Sequence, residues 1–276
     1  MSFKVYYFKP PAEIDLSACW DRSDAEEHFS LVEAETTLPV VQEHLPRNDF
    51  VLDAGCGLGR WVHYLRGHGC TVLGLDKSAE RLTTGREYAG SFPAVCASVL
   101  QTPFPDEVFG AVISFGLVEH LEQGPCDALA ELRRILKPGG LLLVSVPYNN
   151  LVRKLVVNPL YLLRNLKRRL LGWKLVFNEY RFSAGEMRHF MKESGFDVIA
   201  CYPHELVPPK SIGLFIDRLA LQGGLREIVS WELGPLGRRL RDMLDAISPW
   251  LCCGGVLCIG AARRIQPGVP KAPTCT

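Results

Sequence analysis

Two acidic residues and three glycines form the group in this sequence with the clearest chemical meaning. Asp53 ends an apolar run, and Gly55, Gly57 and Gly59 follow at every second position. Asp76 ends a second apolar run, 21 residues after Gly55. Glycines let a ligand lie against the backbone, and an acid at the tip of the second strand can accept hydrogen bonds from both hydroxyls of a ribose. The spacing predicts a site for an adenosine-containing cofactor.

These residues need a strand before each acid and a helix after the glycines. Residues 50–54 and 70–76 predict two buried strands, and residues 60–66 predict a helix whose N-terminus faces the ligand. The dinucleotide fingerprint G-x-G-x-x-G requires a glycine at position 60, where this sequence has Arg60. A purely structural turn and a nicotinamide site both stay open as alternatives at this point.

A second group, further along the chain, could do acid–base chemistry. Glu119 and His120 follow the fourth predicted strand, and histidine titrates near neutral pH. Tyr148, Tyr180 and His189 are further candidates for a catalytic base. Packing or surface positions are the alternative for each of these side chains.

Three motifs in order resemble class I S-adenosylmethionine-dependent methyltransferases, in particular the small-molecule type 11 members. They are the D-x-G-x-G-x-G loop that begins at Asp53, the Pro-Phe-Pro-Asp turn at 103–106, and the Leu-Lys-Pro-Gly-Gly turn at 136–140. The resemblance covers residues 24–147 well. It implies S-adenosyl-L-methionine as the cofactor, and methyl transfer to an O, N or C atom of a small acceptor that can be apolar or lipid-linked.

The resemblance also implies a set of cofactor-binding residues. Asp53 would orient the glycine loop and the cofactor's amino group, and Asp76 would hold the ribose. The full set is Asp53, Gly55, Cys56, Gly57, Gly59, Asp76, Lys77, Ser98, Val99, Phe115, Gly116 and Leu117. Two positions depart from the family: Ser98 and Gly110 each stand where an aspartate is usual. His120 is the candidate catalytic base, with a pocket-shaping role as its alternative. The ten cysteines include no C-x-x-C pair, so no metal site is predicted.

Strands alternate with helices along the chain, which predicts a doubly wound α/β fold with a seven-stranded, mostly parallel sheet. The resemblance implies the strand order 3-2-1-4-5-7-6 with the last strand antiparallel. We expect one domain over residues 1–276, with a cofactor-binding core at 23–148. Helical insertions at 149–178 and 205–255 would follow strands five and six and lie over the acceptor pocket. Residues 1–22 are expected to be irregular and 265–276 a disordered tail.

The insertion at 149–178 holds seven basic residues and no acidic one, interleaved with leucines and a tryptophan. This composition is typical of an interfacial helix that contacts an anionic membrane. A helical cap that shields its own apolar face is the alternative. No nucleic-acid partner is expected, because the net charge of the chain is only +1. A non-catalytic membrane-associated module that keeps the fold is the remaining alternative to an enzyme.

The N-terminus lacks the apolar core of a signal peptide, and every apolar run is far shorter than the ~20 residues of a membrane span. The sequence therefore predicts a cytoplasmic protein, with peripheral contact at the inner membrane surface through residues 149–178.

Overall fold

The protein is known from a computed structural model, which describes residues 2–9, 25–46, 48–204 and 235–264. Nine strands are assigned in these ranges. They are β1 Phe3–Lys9, β2 Phe50–Ala54, β3 Thr71–Asp76, β4 Ala94–Cys96, β5 Phe109–Phe115, β6 Leu136–Pro147, β7 Lys174–Arg181, β8 Phe196–His204 and β9 Gly255–Ala262.

Helices alternate with these strands. They are α1 Ala25–Ala34, α2 Leu38–His44, α3 Arg60–Gly67, α4 Ala79–Ala89, α5 Cys126–Ile135, α6 Asn158–Leu170, α7 Ala184–Glu193 and α8 Pro235–Ile247. Short 3₁₀ turns lie at Val118–His120 and Pro249–Leu251, and a π-helical turn, Arg153–Val157, leads into α6.

The central sheet has seven strands in the order β4-β3-β2-β5-β6-β9-β8. The five strands from β4 to β6 run parallel, and β9 is antiparallel to both of its neighbours. Counted along the chain within this sheet, the order is 3-2-1-4-5-7-6, which confirms the predicted fold class. The carboxyl ends of β4, β3, β2 and β5 therefore meet side by side, at the edge where such sheets bind ligands.

Buried side chains on both faces of this sheet fix the two central strands. Leu52 belongs to an apolar cluster that includes Leu129 of α5, whereas Val51 belongs to a second cluster with Trp61 of α3. Successive residues of a strand point to opposite faces, so β2 is covered by helices on both sides. This burial explains why the strand is apolar throughout until it reaches Asp53.

The N-terminal segment differs from the sequence prediction. Residues 3–9 are not irregular but form β1, which pairs antiparallel with β7 in a separate two-stranded sheet. The insertion at 149–178 is consequently not helical throughout, because its end belongs to β7. Val5 of β1 is buried against Val157 and Tyr161. The two strands are distant in the chain, so no local pattern indicated their pairing.

Other local predictions can be compared directly. Pro39 interrupts the helical pattern between Asp24 and His44 and so predicts two helices; the structure has two, α1 and α2, with Pro39 in the first turn of α2. Ser183 and Glu186 have capping-box spacing in the sequence, and this capping box is present at the start of α7. Strand β6 begins within the Leu-Lys-Pro-Gly-Gly motif, because Leu136 already pairs with Phe109 before the register shifts.

Part of the predicted organisation lies outside the described residues. This applies to most of the second insertion, 205–234, to the tail at 265–276, and to residues 10–22 of the N-terminal segment that was expected to be irregular. In the second insertion the described elements are α8 and the following 3₁₀ turn. Among the described residues, the helices are too short or too polar to cross a bilayer.

We predict that Val5→Ala destabilises the two-stranded sheet by roughly 1–3 kcal/mol, because it removes two buried methyl groups. Hydrogen exchange of the full chain should show faster exchange in β7 and unchanged protection in β5. Ile199→Ala, a truncation at an exposed strand position, is the matched control and should change neither strand. Equal acceleration in β5 and β7 would show that both sheets open as one unit.

Candidate cofactor and acceptor site

The glycine loop connects β2 to α3 and shapes the floor of the site. Gly57 has φ +57°, and a Cβ added there would meet no atom within 4 Å, so the loop has open space at this residue. Gly59 caps α3 in the left-handed conformation, with φ +83°. The backbone N–H groups of Gly55 and Cys56 both donate to the carbonyl of Leu75, at 2.7 and 3.0 Å, and so tie the loop to β3.

Asp76 holds this loop through its side chain. One carboxylate oxygen accepts a hydrogen bond from the backbone N–H of Gly57 at 2.9 Å, and the other accepts one from Ser78 at 2.8 Å. Ser78, not Asp76, accepts the capping bond at the start of α4, from the N–H of Arg81. Each oxygen of Asp76 keeps a second lone pair for a ligand. The contact of Asp76 with a ribose stays a prediction.

Asp53 lies fully inside the protein at the end of β2. Burial raises its pKa to about 7, since the charged form loses its hydration. The nearby carboxylates of Asp76 and Glu35 push the pKa in the same direction, whereas Arg60 opposes them. The end of β2 is therefore a place where negative charge exceeds positive charge.

Arg60, which occupies the position of the third glycine of the dinucleotide fingerprint, forms an ion pair with Glu35. Its guanidinium lies 2.5 Å from the carboxylate of Glu35, which follows α1. The pair fastens the N-terminal helices beside the glycine loop. Sequence reasoning noted only that residue 60 is not glycine and missed Glu35, because the pairing depends on how α1 packs on α3.

The neighbouring strands bring the remaining predicted residues to the same edge. Ser98 and Val99 follow β4; Val99 is buried, while the exposed Ser98 accepts a hydrogen bond from the N–H of Leu100 at 3.2 Å. Lys77 is exposed directly after Asp76. The strand order therefore gathers the predicted cofactor set, and the individual contacts of these residues with a cofactor remain predictions.

The segment after β5 forms the wall next to the glycine loop. Leu117 packs so closely over Gly55 that a Cβ there would lie 2.9 Å from a methyl carbon of Leu117. The ring of Phe115 meets Trp61 of α3 edge-on, with 5.3 Å between centroids. Gly116 lies between them with φ +72°. Only a glycine fits easily at position 55, because both the backbone angle and Leu117 exclude a side chain.

Glu119 and His120 have very different surroundings although they are adjacent. His120 is exposed, and its Nδ1 lies 2.7 Å from the carbonyl oxygen of Asn178 in β7. Because a carbonyl can only accept, Nδ1 must carry the proton, and in the neutral ring Nε2 then holds a free lone pair. That is the arrangement a general base requires.

Glu119 is buried, and burial raises its pKa to about 7. Its Oε2 has no hydrogen-bond partner within the described ranges. The carboxylate of Glu179 in β7 favours the neutral form further, and His120 opposes it. The strand β7 thus contributes both the carbonyl that orients His120 and a charge that acts on Glu119.

The other candidate bases lie in packed or surface positions. Tyr180 donates its hydroxyl to the carbonyl of Glu122 at 2.8 Å. Tyr148 packs against Trp250, and partial burial raises its pKa. His189 is exposed on α7 beside Phe190. Across the described part of the chain, no group of three or more His, Cys, Asp or Glu side chains is placed to hold a metal ion.

The sheet order, the glycine loop and the acid that ends β3 together define a Rossmann-like class I methyltransferase fold. Residues 52–144 match the family model described as "Methyltransferase domain". Residues 52–144 are thus a class I S-adenosylmethionine-dependent methyltransferase domain, and S-adenosyl-L-methionine is the cofactor that such a domain implies. The nicotinamide alternative is therefore not supported.

Individual relatives differ in what they methylate. The chain is 31% identical over 180 residues to a malonyl-[acyl-carrier protein] O-methyltransferase of Pectobacterium atrosepticum, covering 64% of this chain and 63% of that protein. It is 31% identical over 106 residues to a tRNA (carboxymethyluridine(34)-5-O)-methyltransferase of Arabidopsis thaliana, covering 38% of this chain and 25% of the relative. The chain thus spans less than two thirds of either relative. The exclusion of nucleic acid as a partner is not supported by these matches.

A solved structure shows the same fold at low sequence identity. It is the protein described as a methyltransferase in a complex with the Trm112 methyltransferase activator of Haloferax volcanii. The TM-score is 0.60 at 20% identity, and the match covers 88% of this chain and 96% of that one. At this identity the likeness concerns the fold alone.

The residues at the sheet edge fit S-adenosyl-L-methionine. The cofactor carries a sulfonium and an ammonium group, which suits a site where Asp53, Asp76 and Glu35 outweigh Arg60. The open space at Gly57 leaves its backbone accessible. Asp53 would hold the cationic part and Asp76 the ribose, while Leu117 and Phe115 would line the apolar side.

We predict that cofactor affinity rises roughly fivefold to tenfold between pH 6 and pH 7.5, because Asp53 must lose its proton to hold a cation and its pKa is about 7. Calorimetry with S-adenosylmethionine would measure this. Asp53→Asn should bind more weakly and lose the pH dependence, whereas Asp127→Asn, at an exposed carboxylate of α5, should behave as wild type. Equal wild-type affinity at both pH values would contradict the role given to Asp53.

We also predict that Glu119 makes the fold less stable as the pH rises. Its folded pKa of about 7 lies above the ordinary 4.5, so its contribution is complete below pH 4.5 and is lost as the pH rises through 7. Glu119→Gln should reduce the loss of unfolding free energy between pH 5 and pH 8 by roughly 1–3 kcal/mol. Urea unfolding measures this, with the exposed Glu193→Gln as control. An identical loss in wild type and Glu119→Gln would be incompatible with a buried, unpartnered carboxyl.

Proposed function

We propose that the protein transfers the methyl group of S-adenosylmethionine to an O, N or C atom of a small acceptor that is apolar or lipid-linked. The use of this cofactor is supported most directly by the acidic edge around Asp53 and Asp76, beside the open loop at Gly57. When bound, the cofactor supplies an electrophilic methyl on a sulfonium sulfur. The task of the chain is to hold the reactants in line and to keep water out.

The acceptor would lie against the segment after β5 and the strand β7. These two segments are held together by the hydrogen bond from His120 to Asn178 and by the contact of Tyr180 with Glu122. Apolar side chains, including Phe177 and Tyr180, pack in this region. The malonyl-[acyl-carrier protein] relative is named as an O-methyltransferase, and an O atom is one of the acceptor atoms proposed here.

His120 is the proposed base for an acceptor with an O–H or N–H bond. Nδ1 is held by the carbonyl of Asn178, so Nε2 would accept the proton that the acceptor loses as its new bond to carbon forms. Glu119 is buried next to His120 with a pKa of about 7, so at pH 7 it carries its proton in about half of the molecules. Contact with an anionic inner membrane surface through residues 149–178 completes the proposal, because it would bring the site to a lipid-linked acceptor.

We predict that the full chain binds S-adenosylmethionine and S-adenosylhomocysteine in calorimetry and shows no response to NAD. Incubated with cofactor carrying a labelled methyl group, it should transfer label to a lipid extract rather than to purified tRNA. Label in tRNA alone would replace the proposed acceptor class by a nucleic acid. Tight NAD binding without a response to the methionine cofactors would contradict the function itself.

His120→Ala should lower the rate of label transfer about a hundredfold while cofactor affinity stays within about twofold of wild type. The exposed His189→Ala is the matched control and should leave both quantities unchanged. A full rate in His120→Ala would assign this histidine a packing role.

A further inference from the structure

Helix α6 has two faces of opposite character. Its inner face is buried: Tyr161, together with Val157 of the preceding π-helical turn, packs with Val5 of the two-stranded sheet. The outer face is apolar and exposed. It is formed by Leu160, Leu162, Leu163, Leu166 and Leu170 of α6, with Leu155 and Val156 of the π-helical turn and Leu171 after the helix.

The exposed leucines form one continuous surface. Leu163, Leu166 and Leu170 recur at three- and four-residue spacing, so they lie on the same side of the helix. Leu163 is 66% exposed and Leu170 is 80% exposed. Contiguous apolar surfaces of this kind are rare on monomeric proteins and mark interaction sites. Within the described residues no element covers these leucines, as a cap that shields its own apolar face would require.

Positive charge surrounds the leucines. Lys154, Lys167, Arg169 and Lys174 are all exposed, and residues 149–178 contain no acidic residue. Trp173 follows the helix, with the guanidinium of Arg168 5.4 Å from its ring centre. Leucines on one face, basic residues around them and a tryptophan at the end are the features of a helix that lies in the plane of a membrane.

We infer that the outer face of α6 docks the protein on an anionic phospholipid surface. The leucines would enter the acyl boundary, and the lysines and arginines would meet the phosphate groups. A second copy of the chain would bring the same positive charge against itself in a two-fold contact. A nucleic acid would satisfy the charges and leave the leucines in water. This inference deepens the membrane contact proposed above by naming the helix face and the lipid charge, and it does not depend on methyl transfer.

Helix α8 provides an internal comparison. It also exposes apolar side chains, among them Leu236 and Leu240. It differs in charge, because Asp242 and Asp245 accompany its arginines and Arg241 is paired with Asp245 at 3.2 Å. If apolar exposure alone caused membrane binding, both α6 and α8 would bind the membrane. If positive charge is also needed, only α6 would bind it.

The test is sedimentation of the full chain with vesicles. We expect pelleting with phosphatidylcholine–phosphatidylglycerol vesicles, little with phosphatidylcholine alone, and a loss of about tenfold in partitioning from low to high salt. Leu163→Ser with Leu170→Ser, and separately Lys167→Glu with Arg169→Glu, should each reduce partitioning about tenfold or more. Leu236→Ser with Leu240→Ser should leave it unchanged. Calorimetry with S-adenosylmethionine should give the same affinity for every variant, which separates docking from the cofactor site.

Other outcomes would overturn the inference. The inference would be wrong if the protein did not pellet with anionic vesicles, or if wild type and the α6 leucine variant pelleted equally. Concentration-dependent dimers in light scattering that disappear in the α6 leucine variant, without vesicle binding, would assign the face to a second copy. Binding of tRNA that is lost with Lys167→Glu and Arg169→Glu but kept in the leucine variant would assign it to nucleic acid.

Discussion

The carboxylate of Asp76 holds the cofactor edge together. It accepts hydrogen bonds from the amides of Gly57 and Ser78, and so fixes the glycine loop after β2 to the end of β3. Because β2 and β3 are parallel neighbours, the two strand ends already meet; the carboxylate then sets the shape of the turn. The open space at Gly57 lies in the turn that this carboxylate holds.

The site contains two acids whose ionised forms are destabilised by burial. Asp53 and Glu119 are both buried, and burial raises the pKa of each to about 7. Burying a carboxylate is costly unless a cation or a set of donors compensates it. A positively charged cofactor would compensate Asp53, whereas Glu119 lies beside His120 and Glu179 of β7, where we propose that the acceptor binds. Both acids lower the stability of the fold when they are ionised, and cofactor binding would offset this cost at Asp53.

The strand β7 links this site to the rest of the insertion. It orients His120 through the carbonyl of Asn178, pairs with β1, and follows α6, whose inner face rests against the same small sheet. Docking of the outer face of α6 on a lipid surface would therefore place the acceptor side of the site near that surface. The leucines, which add nothing to the folded core, then have a physical reason to be exposed.

The sequence by itself determined the fold class, the strand order through a family resemblance, and the positions of the glycine loop and of the acids that end β2 and β3. It could do so because apolar periodicity, glycine spacing and the acids that end β2 and β3 are local signals. Tertiary structure decided the rest. The ion pair of Arg60 with Glu35, the pairing of β1 with β7, and the hydrogen bond of His120 to Asn178 join residues that are distant in the chain. Whether the leucines of α6 are buried or exposed was decided in the same way, since one amphipathic pattern permits either outcome until the packing of its neighbours is known.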